Sequence, residues 1–222
     1  MRIIHIPRKV SFGLLYNWYA ATDVRNLAST GWHVPTATQA STFITYLGGV
    51  TGAASIAEKS LDYWADTNIA IGTIPWKARG TGSRNQSGNF ISFKQNSPVS
   101  IIDASLGKVM YIFAAIGQNQ IYVTTANESA KKFGCSVRLM KDSTTLTNGQ
   151  TGTYTGNNGK VYPTICVGTQ EWLSESLAET QYRNGDWITG YNGGVYTRIS
   201  TATWAALTTE ALCIYNDDLR LL

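Results

Sequence analysis

The sequence contains few of the side chains on which catalysis and metal binding most often depend. It has only two histidines and three cysteines in 222 residues. The cysteines, at positions 135, 166 and 213, are widely spaced, so at most one disulfide can form and the close pairs of a zinc site are missing. His33 directly precedes a predicted helix, where a core or capping role is favoured over general-base chemistry. No nucleophile elbow or Ser/His/Asp arrangement is recognised, so the sequence predicts a protein that is not an enzyme.

Charge is scarce and scattered. Asp, Glu, Lys and Arg make up 14% of the chain, roughly half of the usual share, and the net charge of +4 arises from isolated Lys and Arg. A nucleic-acid footprint needs a clustered basic stripe, and no basic run is longer than Lys131-Lys132. Binding to DNA or RNA is therefore not expected.

Long hydrophobic runs are missing as well. No segment reaches the roughly 18 to 20 apolar residues that a bilayer-spanning helix needs, so membrane insertion is not expected. Residues 1–11 include basic residues but no apolar run of signal-peptide length. We expect them to form an N-terminal arm without an export signal.

Glycine, tyrosine and tryptophan are plentiful, at 21, 12 and 7 residues, which is typical of a protein rich in strands and loops. We predict an α+β fold with short antiparallel strands, one or two helices and long loops. A long surface loop is expected at residues 73–88. Strands are predicted at residues 13–19, 89–93, 109–115, 120–125, 135–140, 160–167 and 212–215.

The clearest helix signal follows Pro35. Thr36 and Gln39 have the spacing of a capping box, and Gly48-Gly49 would end the element. The apolar residues between them repeat with helical period, at Ala40, Phe43, Ile44 and Leu47. Weaker patterns predict further helices at residues 55–63 and 200–207.

The stretch of residues 143–158 has no charge and almost no large apolar side chain. This composition is typical of a flexible connector. It also fits a Thr-rich hairpin, because Thr suits strands and Asn148-Gly149 is a strong turn dipeptide. The sequence leaves both interpretations open.

Several segments together resemble a known family, the Fibrobacter succinogenes major paralogous domain. They include Phe-Gly-Leu-Leu-Tyr-Asn-Trp-Tyr-Ala at residues 12–20, Gly-Trp-His-Val-Pro-Thr at 31–36, Phe-Gly-Cys-Ser-Val-Arg at 133–138, Gly-Lys-Val-Tyr-Pro-Thr at 159–164 and Val-Gly-Thr-Gln-Glu-Trp-Leu at 167–173. Shorter matches lie at residues 182–187, 204–209 and 215–218. The resemblance implies a C-type-lectin-like fold, similar also to formylglycine-generating enzymes, whose cysteine pair is not matched here.

The order of these segments is circularly permuted relative to the family. Residues 12–142 resemble the C-terminal part of the domain and residues 159–222 its N-terminal part, joined by residues 143–158. Domain termini often lie close together at the surface, so such a rearrangement is physically reasonable. The two parts can close within one chain or be exchanged between subunits.

The family occurs in surface proteins of gut-type bacteria and in tail or head fibres of their phages. The resemblance therefore implies a virion surface module, a fibre or capsid-decorating protein, that displays loops for binding a host-surface glycan or protein. Such a protein would assemble in the host cytoplasm with other virion proteins. We expect a homo-oligomer, with a trimer favoured. The alternatives are a bacterial cell-surface or secreted lectin-like protein and a purely structural virion protein.

In lectin-like variable proteins the ligand face lies just before the final strand, which this chain matches at residues 134–138. The resemblance thus places the binding site in residues 117–127, with help from the loop at 79–89. Aromatic residues in Gly/Asn-rich stretches add to it, because rings stack on apolar faces while amides supply directional hydrogen bonds. They can equally serve to anchor loops. The candidate ligand-binding residues are Gln118, Asn119, Gln120, Tyr122, Asn127, Arg84, Asn85, Trp187 and Tyr191.

No cofactor is expected. Asp217 and Asp218 offer oxygen ligands of the kind that Ca²⁺ prefers. The Glu-Pro-Asn or Gln-Pro-Asp signature of calcium-dependent sugar sites is absent, and adjacent acids in a terminal turn are more often solvated. Calcium is therefore a weaker alternative to a site without metal.

Overall fold

The computed structural model describes residues 11–102, 106–125 and 127–222. Within these ranges the helices are α1 (Trp18–Ala21), α2 (Ala37–Tyr46), α3 (Ala53–Ile56) and α4 (Thr201–Ala206). The strands are β1 (Leu15–Tyr16), β2 (Trp32–His33), β3 (Ser83–Arg84), β4 (Phe90–Ile91), β5 (Asn96–Ile101), β6 (Lys108–Phe113), β7 (Gln120–Val123), β8 (Met140–Lys141), β9 (Thr151–Thr155), β10 (Val161–Val167), β11 (Gln170–Leu173), β12 (Tyr191–Asn192), β13 (Val195–Tyr196) and β14 (Leu212–Cys213). The predicted N-terminal arm lies outside the described residues, apart from Ser11.

All pairings between these strands are antiparallel. One sheet has five strands in the order β2-β8-β11-β10-β9 and another has three in the order β5-β6-β7. Three two-stranded pairs, β1-β14, β3-β4 and β12-β13, complete the set. The α+β class with short antiparallel strands is confirmed. No helix in the described ranges is long and apolar enough to cross a bilayer.

The helices predicted after Pro35 and at residues 200–207 are confirmed. Thr36 caps α2 by accepting a hydrogen bond from the Gln39 amide at 3.3 Å, while the Gln39 side chain accepts from the Thr36 amide at 2.8 Å. The helix ends before Gly48 and Gly49, whose φ angles of +90° and +91° lie in the left-handed region that glycine tolerates. Ser200 caps α4 through the amide of residue 203, at 3.1 Å.

The helix predicted at residues 55–63 is wrong except for its first two residues, which form the end of α3. The chain leaves α3 at Ala57, which forms a parallel bridge with Ala78. The Glu58 amide also donates to the Ala78 carbonyl, at 2.9 Å. Pairing with a segment about 20 residues away thus takes the hydrogen bonds that would have continued the helix.

Several predicted strands are shorter than expected, above all those at residues 13–19 and 135–140, and part of one predicted surface loop is buried. The strand at residues 13–19 stops at Tyr16 because the Asn17 side chain caps α1, accepting from the Ala20 amide at 3.0 Å. The strand at 135–140 is reduced to isolated bridges followed by β8. In the loop at 73–88, residues 78–84 are all buried and include β3.

The neutral stretch at residues 143–158 contributes a strand to the five-stranded sheet. Its second half forms β9, which pairs with β10 from Thr151↔Ile165 to Thr155↔Val161. This half is therefore a strand rather than a flexible coil. It forms a hairpin with β10, not the predicted hairpin around Asn148-Gly149. Its turn lies at residues 156–160, whereas Asn148 and Gly149 form a separate turn before the strand.

The parts before and after this stretch pair within one chain. Leu15 of β1 lies opposite Cys213 of β14, and Met140 of β8 lies opposite Trp172 of β11. The main core cluster lies between α2 and the two larger sheets and includes the rings of Phe43, Trp76 and Trp172. A second cluster is built around Leu14, Tyr162 and Tyr182, and a third around Trp204.

Candidate ligand-binding face

The three-stranded sheet β5-β6-β7 has one face on the core. On the opposite face β5 is buried, and only β6 and β7 carry partly exposed side chains. Met110, Ile112 and Ile121 point inwards and are fully buried. Tyr111 and Phe113 alternate with them on β6, and Tyr122 on β7 lies directly opposite Tyr111. The outward side chains are therefore aromatic where the inward ones are aliphatic.

The three outward rings form a cluster. The centroids of Tyr111 and Phe113 are 5.8 Å apart, and that of Tyr122 lies 6.0 Å from Tyr111 and 6.1 Å from Phe113. The planes of Phe113 and Tyr122 differ by only 13°. Tyr111 and Phe113 are half-buried, while Tyr122 is 38% exposed. Mutual packing holds the rings in place while leaving part of their surface to solvent.

The face that carries this cluster is uncharged. By strand register, the positions on it are Asn96, Pro98, Ser100, Val109, Tyr111, Phe113, Gln120, Tyr122 and Thr124. Burial, with smaller contributions from Cys135 and Tyr122, raises the pKa of the Tyr111 phenol above its usual range. The phenol is therefore neutral at physiological pH and can donate a hydrogen bond.

A small cleft opens beside Tyr111. Its volume is about 80 Å³, and it is lined by Val109, Tyr111, Thr124, Asn127, Ala130 and Phe133. The Thr124 hydroxyl accepts from the Val109 amide at 3.1 Å. Asn127 Oδ1 accepts from the Ala130 amide at 2.8 Å, within the 3-10 turn Ser129–Lys132. Asn127 Nδ2 lies 3.4 Å from the Thr125 carbonyl, at the weak end of hydrogen bonding.

Of the candidate residues in 117–127, Gln118, Gln120, Tyr122 and Asn127 are exposed. Gln120 and Tyr122 lie on the aromatic face, which is the sheet face that carries the rings of Tyr111, Phe113 and Tyr122. Asn127 lines the cleft. Asn119 has a local structural role, because its Oδ1 accepts from the Ala54 amide at 2.9 Å and so holds the start of α3.

Arg84 does not belong to an exposed site, contrary to the expectation. It is 1% exposed, and its guanidinium stacks on Trp204 at 4.5 Å and on Phe90 at 4.8 Å. It donates to the carbonyls of Gly88 at 3.0 Å and of residue 199 at 2.7 Å. Neighbouring Asn85 closes the same hairpin, because its Oδ1 accepts from the amides of residues 87 and 89.

Trp187 and Tyr191 lie in a different part of the fold. Both are half-buried, and Trp187 bridges to Gln181. The Tyr191 ring packs against Tyr196 at 5.7 Å and against the second core cluster. The sheet that carries the aromatic face packs instead on the first core cluster. The nine candidate residues are thus spread over three regions, and only the group at 118–127 meets the aromatic face.

The other residues singled out in the sequence either make polar contacts with neighbouring side chains or are buried. His33 Nε2 lies 3.0 Å from Gln39 Oε1, next to the capping box of α2. Asp217 accepts from the Tyr196 hydroxyl at 2.5 Å and pairs with an arginine at 2.8 Å, and Asp218 pairs with Arg220. All three cysteines are free and buried, and burial raises the pKa of the Cys213 thiol to about 12.

Tyr111, Phe113 and Phe133 were not among the sequence candidates. The alternation of Tyr111 and Phe113 with Met110 and Ile112 in a predicted strand was the available signal. Phe133 reaches the cleft only because the turn at 129–132 folds back on the sheet, which no local pattern indicates.

Comparison of the chain with family models, with curated proteins and with solved structures finds no match. The resemblance to the paralogous domain therefore rests on the sequence segments alone.

Proposed function

We propose that this chain is a non-catalytic recognition module that binds a host-surface glycan or protein through the outer face of β6 and β7. The observation that carries the proposal is the ring cluster of Tyr111, Phe113 and Tyr122 on an uncharged, partly exposed sheet surface. Inward residues already fill the core beneath it. Rings left at the surface beside amide side chains are typical of recognition sites.

The packing of the rings favours tight binding. A ring that already has a fixed position loses little conformational entropy when a ligand covers it. Its apolar surface can stack on the C–H face of a sugar or on an apolar side chain, while Gln118 and Gln120 on the adjacent hairpin supply hydrogen bonds. The face needs no movement of the sheet to meet a ligand.

The wider setting of the proposal comes from the family resemblance. It supports a C-type-lectin-like arrangement and a place on a phage virion, as a fibre or capsid-decorating protein. The antiparallel sheets and few helices are compatible with that arrangement. Fibre and decoration proteins are commonly symmetric oligomers, and we therefore propose a homotrimer.

Binding to whole cells and to immobilised glycans tests the proposal. Tyr122→Ala should weaken binding by about tenfold or more, the loss expected for an aromatic anchor. Tyr46→Ala is a matched control, because Tyr46 is 48% exposed but lies at the end of α2, against Gly168. Unchanged binding by Tyr122→Ala, or loss of binding in Trp187→Ala instead, would contradict the proposed site.

A further inference from the structure

We infer that the cleft beside Tyr111 receives the acetyl group of an N-acetylated sugar, so that the ligand of the aromatic face is an uncharged acetamido-sugar chain. This inference rests on the proposed function, because it names the ligand class of the same face. It is carried by the size of the cleft, by its lining and by one amide donor.

The size of the cleft selects a side group rather than a ring. A cavity of roughly 150 Å³ accommodates benzene, and a water molecule takes about 30 Å³ of liquid. The cleft of about 80 Å³ therefore holds about three heavy atoms. The carbonyl carbon, oxygen and methyl group of an acetyl substituent match this number, whereas a pyranose ring is too large and must lie outside on the aromatic rings.

The lining selects a group that is apolar at its tip and has one acceptor. Val109, Ala130 and Phe133 present apolar surface for a methyl group. None of the six lining residues is charged, so a carboxylate or an ammonium group would lose hydration without gaining an oppositely charged partner. A hydroxyl group would leave the apolar part of the cleft unfilled.

The donor is the Asn127 side-chain amide. Its Oδ1 is engaged by the Ala130 amide at 2.8 Å, but Nδ2 makes only a long contact of 3.4 Å. An acetyl carbonyl beside Nδ2 would receive a better hydrogen bond than the present one. The sugar ring that carries the acetamido group would then lie next to Tyr111, from which Tyr122 continues the aromatic surface.

The test compares neutral and charged tetrasaccharides by calorimetry, using the full chain. A β-linked N-acetylglucosamine tetramer should bind about tenfold more tightly than a β-linked glucose tetramer, the combined effect expected of one buried methyl group and one added hydrogen bond. The deacetylated glucosamine tetramer, which is cationic, should bind no better than the glucose tetramer.

Asn127→Asp is the decisive variant. It keeps the oxygen that accepts from the Ala130 amide, and an Asp oxygen is an equally good acceptor, so the fold is preserved; thermal unfolding checks this. It removes the Nδ2 donor, so the preference for the acetylated tetramer should disappear. Tyr122→Ala should weaken both neutral tetramers together.

Equal binding of the two neutral tetramers, or a preference that survives Asn127→Asp, would overturn the acetyl assignment and leave the recognition face intact. If neither neutral tetramer binds, while cells are still bound through Tyr122, the acetyl assignment is overturned but the proposed function is not. Absence of binding to cells and glycans alike would refute the proposed function and the assignment together.

Discussion

Arg138 is the buried cation on which the loop containing Trp76 depends. Its side chain is fully buried and donates to the carbonyls of Trp76, Lys77 (2.7 Å) and Leu173 (3.4 Å). The guanidinium also stacks on the Trp76 ring, 3.8 Å from its centroid. Burial lowers the pKa of Arg138 to about 9, so the group remains charged at neutral pH. We predict that Arg138→Met strongly destabilises the protein.

The magnitude follows from the bonds that are lost. A hydrogen bond from a charged donor contributes about 1.5 to 3 kcal/mol. We count the bonds to Trp76 and Lys77 but not the contact to Leu173, which is long at 3.4 Å. Their loss gives about 3 to 6 kcal/mol. Removing a buried charge recovers part of this, because the arginine no longer has to be desolvated. We expect a net decrease of about 3 kcal/mol in the free energy of unfolding.

Urea denaturation followed by tryptophan fluorescence measures this change. The midpoint should fall while the slope stays constant, since the surface exposed on unfolding is nearly unchanged. Arg183→Met is the control, because Arg183 is exposed and should matter by less than about 0.5 kcal/mol. Arg138→Lys should be intermediate, because an ammonium group cannot bridge the carbonyls and stack at once. Wild-type stability in Arg138→Met would refute the reasoning.

Three further predictions concern stability and reactivity. Burial raises the pKa of Glu179 in the folded state. The stability that the protonated carboxyl contributes is therefore present below about pH 4.5 and is lost as pH rises through the folded-state pKa. In Glu179→Gln the free energy of unfolding, measured with urea at pH 4.5 and 7, should fall less between the two pH values than in the wild type. Gly88→Ala should cost about 2 to 3 kcal/mol, because φ is +82° and a Cβ would lie 2.3 Å from the Thr201 carbonyl; Gly185→Ala, with φ +90° and open space, should cost about 1 kcal/mol in the same assay, and equal costs would refute the clash. Native protein should react with a thiol reagent only as it unfolds, because all three thiols are buried; rapid labelling would contradict this.

The parts of the fold that the sequence predicted well are those with local causes. In α2 the cap, the apolar period and the terminal glycines all lie within about 14 residues. The helix predicted at 55–63 failed because a bridge to Ala78 competes for its backbone. Local patterns could not anticipate that competition, since the partner lies far along the chain.

The mistaken site assignment of Arg84 has the same origin. Residues 79–89 are rich in Gly, Ser and Asn, which predicts an exposed loop. The Arg84 guanidinium stacks on Trp204 and donates to the carbonyl of residue 199, and both partners are more than 110 positions away in the chain. These polar residues can be buried because most of their hydrogen-bond donors have partners. Only the tertiary structure reveals those partners.

The aromatic face could be predicted from the sequence only in part. Alternation along β6 can be read from the sequence, but which side faces outwards depends on the register with β5 and β7. The core behind the sheet is closed by Met110, Ile112 and Ile121 without any help from Tyr122. Removing the Tyr122 ring should therefore cost only about 1 kcal/mol of stability, from lost ring contacts, compared with about 3 to 5 kcal/mol for a core aromatic residue. A small loss of stability in Tyr122→Ala, measured by urea unfolding, together with the weakened binding expected of this variant, would separate the proposed recognition role of the ring from a structural one.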